Sequence, residues 1–163
     1  MIDRDKINTA ASDVSEMHKE LAEIAEALVQ KSTGKLDKLI ADFSKNIDTY
    51  TTEELNRLKM QLCVETYYLG TRKDVAVSKA ECAEAIYKEH YAKSVTATEG
   101  TAVHKQQCAT LETAPQQAVQ LLYNLTANLL KTKLNEAHSV IRVLDSVCIS
   151  RAAEAKLAQT AQM

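Results

Sequence analysis

Between Pro115 and about Lys156 the chain runs for roughly 40 residues without a glycine or a second proline. Apolar residues recur there in steps of three and four: Val119, Leu122, Thr126, Leu129, then Ala137, Val140, Leu144 and Val147, with Lys133 as a charged interruption. Leu121, Leu125, Leu130, Leu134, Ile141 and Cys148 widen that stripe. Such a pattern is helical, and at ~1.5 Å per residue it spans about 60 Å. A compact globule of this chain length has a radius of gyration near ~15 Å, hence a diameter of roughly 40 Å. The helix overshoots a compact monomer, so its apolar face needs a second long helix and, beyond that, another subunit.

The second long helix is legible upstream. Thr51-Thr-Glu-Glu54 has capping-box spacing. Behind it Leu55, Leu58, Leu62, Thr66, Leu69, Lys73, Ala76, Ala80, Ala83 and Tyr87 form a heptad-like seam to about Ala92. Gly70 lies mid-run and costs ~1 kcal/mol of helix propensity, which makes it the candidate place for a kink or break. Before Thr51, two shorter helices are expected. Asp13-Val-Ser-Glu16 caps the first, which uses Met17, Leu21, Ile24 and Leu28 and stops near Gly34; the second uses Leu36, Leu39, Ile40, Phe43 and Ile47. Residues 94–100 predict a loop, 101–111 a short helix, and Thr113-Ala-Pro-Gln116 a fresh helix start. The fold class is therefore all-α: an elongated hairpin of two long helices (51–163) with short N-terminal helices (1–50), forming one structural unit that assembles as an oligomeric bundle or ring. Three glycines, one proline and no tryptophan agree with this, leaving little material for the turns of a β-rich fold.

The formal net charge is −2, unevenly placed: residues 1–52 carry seven basic and ten acidic side chains, and residues 101–163 six and four. No stretch approaches ~18 uncharged apolar residues, and the N-terminal sequence has no apolar leader pattern, so a cytoplasmic protein without membrane insertion is expected. Cys63, Cys82, Cys108 and Cys148 have no CxxC spacing and fall in helical patterns, where they are expected as reduced, buried thiols.

Catalytic signatures are missing. The sequence contains no P-loop, Gly-rich nucleotide fingerprint, HExxH or GxSxG. Glu65 beside Tyr67 is the carboxylate nearest to an apolar setting, and a solvated glutamate explains it. His104 and Cys108 are four apart and could face one metal from a helix, but two ligands are half a site and no second pair has comparable spacing. Neither enzyme activity nor a cofactor or metal is expected.

Two features suit a polyanion. Arg57, Lys59, Arg72 and Lys73 flank Tyr67 and Tyr68, combining cations that neutralise phosphates with rings on which bases stack. The alternative makes the tyrosines packing residues at a helix bend and the cations partners of Glu53, Glu54 and Asp74. The second feature is an acid-free polar stripe on the last helix: Gln117, Asn124, Asn128, Lys131, Asn135, His138 and Arg142. It could line a channel, contact a sugar-phosphate backbone, set register between subunits, or face water.

Tyr67-Tyr68-Leu69-Gly70 with Arg72, the helix of residues 80–91, Glu99-Gly100, and the final helix from Leu121-Leu122 through Val147, Ser150, Arg151 and Ala153-Glu-Ala155 together resemble the UvsY-like phage recombination mediator family. The similarity covers about residues 55–156 as a pattern. It implies a homo-oligomeric phage or prophage protein of the host cytoplasm that binds single-stranded DNA. Such a protein helps load a RecA-type recombinase onto strand coated by single-strand binding protein. The family carries basic residues within a turn before its tyrosine pair, whereas this chain has Cys63, Val64 and Glu65 there. The alternative is a helical phage assembly protein, or an inhibitor of a host defence factor, that binds no DNA.

Overall fold

The computed structural model describes residues 4–160, with side-chain surroundings for Ser12 and from Ser15 onward. The described residues form three helices: α1 (Arg4–Asn46), α2 (Thr52–Ala97) and α3 (Ala102–Thr160). No strand occurs among the described residues, and the all-α class holds.

Three candidate interruptions are not there. α1 passes through both the Asp13 start and the Gly34 stop, so one helix replaces two. Thr33 and Leu36, on either side of Gly34, are almost fully buried, and their packing outweighs the ~1 kcal/mol that glycine costs in a helix interior. α2 continues past Gly70 for the same kind of reason, with Leu69 buried beside it. α3 contains Pro115, so the expected helix start at Thr113 is an internal position. Proline removes the amide that would bond the Leu111 carbonyl, and Leu111 is exposed, so water can take that amide's place. The buried Thr113 hydroxyl donates to the Ala109 carbonyl at 2.7 Å, one turn back. The 94–100 loop shrinks to residues 98–101 because α2 extends to Ala97.

Two helix starts are capped. The Thr51 amide donates to Glu54 Oε2 at 2.8 Å while the Glu54 amide donates to Thr51 Oγ1 at 3.3 Å, a complete reciprocal box at the head of α2. These bonds to the carboxylate hold the Glu54 carboxyl below the ordinary glutamate range. Thr101 Oγ1 accepts the His104 amide at 3.3 Å and starts α3.

Internal contacts group the chain into two compact units, residues 1–29 with 73–129 and residues 30–72 with 130–163. The first, unit 1, buries small side chains: Ala25, Ala76, Ala80, Ala83, Ala109 and Ala127, with Thr113 and Thr126. The second, unit 2, buries large ones, including Leu36, Phe43, Leu55, Leu58, Leu62, Leu69, Leu130 and Leu144. The leucine-to-alanine change along the α2 seam, read from sequence, is thus the difference between two cores. Polar ties join the three helical segments of unit 2. Lys133 on α3 bonds Asp37 on α1 at 3.3 Å and Glu136 at 3.1 Å, and Lys59 on α2 pairs with Asp145 on α3. Arg151 on α3 donates to the carbonyls of Ile47, at 2.7 Å, and Tyr50, both in the turn after α1.

The expected α1 stripe is displaced. Met17, Ile24 and Leu28 are exposed, and the buried positions are Ala25, Val29, Thr33, Leu36 and Phe43. The thiols also differ from expectation: Cys63 and Cys82 are exposed, and Cys108 and Cys148 are half-buried. All four are free, but none belongs to either core. No helix among the described residues is long and apolar enough to cross a membrane.

Candidate nucleic-acid interface

The site is built on the α2 segment of unit 2. With Leu55, Leu58, Leu62, Thr66 and Leu69 turned inward, the 100° step of a helix sends Arg57, Val64, Tyr67, Tyr68 and Thr71 away from the core. The tyrosines do not pack at a bend. Tyr67 is 74% exposed and Tyr68 57% exposed, and α2 is continuous beneath them. Their rings touch edge to face, with centroids 5.9 Å apart and planes at 70°. One ring edge therefore braces the other, and the exposed ring surface is open to a planar ligand.

The basic residues divide into engaged and available groups. Arg57 reaches Glu53 one turn back at 3.4 Å, a long contact between two exposed side chains that solvent and salt screen readily. Lys59 is committed to Asp145, whose hydrogen bond raises the ammonium above the ordinary lysine value. Lys73 begins the α2 segment of unit 1 and pairs with the adjacent Asp74 at 2.8 Å. Arg72 is exposed and forms no ion pair among the described residues. Of the acids expected to pair locally, Glu53 and Asp74 do so, whereas Glu54 is spent on the cap.

The α3 stripe is a surface. Asn124, Asn128, Lys131, Asn135, His138 and Arg142 are all exposed, and Gln117 is half-buried. Its unit 2 portion, Lys131, Asn135, His138 and Arg142, keeps a spacing of four, three and four residues on one side of α3. Lys131 and Arg142 carry no ion pair among the described residues.

Sequence reasoning did not see how charge sorts between the units. Unit 2 holds twelve basic and nine acidic residues, a net charge of +3; unit 1 holds eight and thirteen, a net charge of −5. The available cations Arg72, Lys131 and Arg142 therefore sit on the positive unit. No count along the linear chain finds this, since each unit is assembled from separate segments of the three helices. Glu65 is half-buried and borders an open groove of unit 2 with Lys35, Lys38, Asp42 and Gln61. Outside the aromatic pair, Met60 and Val64 are further exposed apolar side chains on this part of α2.

No family model, no curated protein and no solved structure matches this chain.

Proposed function

We propose that the chain is a non-enzymatic accessory protein that binds single-stranded DNA through unit 2, using Tyr67 and Tyr68 as stacking rings and Arg57, Arg72, Lys131 and Arg142 as phosphate contacts. One observation carries the reading: two adjacent tyrosines stand in solvent on the unit of net charge +3, where burial would remove them from any ligand. Exposed aromatic rings beside cations suit single strands better than duplex, because unpaired bases offer faces to stack on. The resemblance to UvsY-like mediators supplies the biological setting: a phage or prophage homo-oligomer in the host cytoplasm that helps place a RecA-type recombinase on strand held by single-strand binding protein.

Few phosphate contacts per chain make a single copy a weak binder, and an oligomer multiplies them through effective concentration. The test uses Tyr67→Ala and Arg72→Ala. Because Tyr67 is exposed, its truncation leaves helicity unchanged and stability within ~0.5 kcal/mol of the parent while weakening oligo-dT binding by ~1–3 kcal/mol. Arg72→Ala reduces the salt dependence of binding by about 0.7 in log–log slope. Affinity unchanged in both variants would refute the assignment.

A second reading rests on Met60 and Val64, 70% and 52% exposed close to the tyrosines. An apolar patch of that kind also suits a partner helix, as in a phage assembly protein or an inhibitor of a host defence factor. Under that reading Met60→Ser abolishes a protein complex and no oligonucleotide binds at any salt concentration.

A further inference from the structure

His104 and Cys108 stand one turn apart near the start of α3, within unit 1, with Nε2 and Sγ 3.7 Å from each other. A zinc ion at ~2.3 Å from sulfur and ~2.1 Å from nitrogen, with a tetrahedral angle between them, needs those atoms ~3.6 Å apart. The bite is already set. Gly100 helps set it: its φ is +123°, and a side chain there would come within 3.0 Å of His104 Cδ2, the carbon next to Nε2. The missing side chain lets the ring lie against the Gly100 backbone with Nε2 toward the thiol. Among the described residues no group of three metal-ligating side chains occurs, so they supply two ligands to this site. Leu111, 76% exposed, follows at the next helical step on the same side of α3 and offers an apolar contact beside the pair.

We propose that His104 and Cys108 are half of a tetrahedral site for a thiophilic divalent metal, with Zn²⁺ the best fit, and that the same two residues of a second copy complete it. On binding, each Cys108 thiol loses its proton to solvent and each His104 coordinates through neutral Nε2, so one ion is held by two thiolates and two imidazoles. The inference is independent of the DNA reading.

Cobalt reports the site directly. Metal-free protein titrated with Co²⁺ is expected to develop the visible bands of a tetrahedral ion and a thiolate charge-transfer band, saturating at one metal per two chains. Mass measured by light scattering should rise in step, and Zn²⁺ should bleach the spectrum. Cys108→Ser and His104→Ala should lose the spectrum and the mass increase while circular dichroism stays unchanged. Saturation at one metal per chain, a spectrum retained in Cys108→Ser, or no cobalt bound at micromolar concentration would each overturn the proposal.

Discussion

Arg151 ties the end of α3 to the turn between α1 and α2, and replacing it by Met keeps most of the aliphatic stem while deleting both hydrogen bonds. The guanidinium donates from Nη2 to the Ile47 carbonyl at 2.7 Å and from Nη1 to the Tyr50 carbonyl. Both carbonyls lie in the turn between α1 and α2, and among the described residues neither accepts a backbone amide. A hydrogen bond to a charged group contributes ~1.5–3 kcal/mol. Arg151 is half-buried, so water replaces part of what is lost, and we expect Arg151→Met to cost about 2 kcal/mol in total rather than twice that. With an m-value of ~2 kcal/mol/M, the urea midpoint falls by about 1 M at constant m. Protein concentration must be held fixed, because self-association would shift the midpoint by mass action. Arg151→Lys, whose single ammonium cannot reproduce the two-pronged geometry, should recover about half of the loss. A midpoint for Arg151→Met within ~0.2 M of the parent would refute the reasoning and make the contact incidental.

Glycine substitutions separate open from strained positions. Gly34→Ala and Gly70→Ala should each raise stability by ~0.5–1 kcal/mol, since an added Cβ meets nothing within 4 Å at either site, whereas Gly100→Ala should lower it because of the positive φ and the His104 ring; thermal melts check all three. The capping box gives a pH signature. Glu54 has a folded-state pKa below its ordinary value of 4.5, so the stability it adds is fully present above that value and is lost as pH falls through the lower folded one. The stability difference between parent and Glu54→Gln should therefore be flat at neutral pH and shrink only below about pH 4.5, in urea titrations across pH. In the native state Cys63 and Cys82 should react with a thiol reagent well before Cys108 and Cys148, as read by mass spectrometry of partly labelled protein.

What the sequence made legible follows the size of the side chains involved. The α2 seam was readable because Leu55, Leu58, Leu62 and Leu69 are large and periodic, and each of them is buried. On α1 the same logic selected Met17, Ile24 and Leu28, but the buried positions there include Ala25 and Thr33, which carry too little apolar signal to compete with exposed bulky neighbours. Gly34 and Pro115 looked like helix ends because local propensity is all a sequence shows; the buried neighbours Leu36 and Thr113 that hold those helices together belong to tertiary packing. At the candidate site, sequence placed Tyr67, Tyr68 and the flanking cations on one helix. It did not reveal that Asp145, 86 positions away, engages Lys59, or that Lys73 falls in a different unit. The net charge of +3 on unit 2 was invisible for the same reason, since it emerges only when separate segments are brought together.

The central claim is tested most directly by fluorescence anisotropy of a labelled oligo-dT titrated with the unmutated protein from low to physiological salt. If Arg57, Arg72, Lys131 and Arg142 each neutralise one phosphate, log affinity should fall against log salt with a slope of about −3 per bound chain, from ~0.7 per contact on a single strand. Binding that is absent at low salt, or present with a slope near zero, would contradict the account and leave the exposed face of α2 to a protein partner.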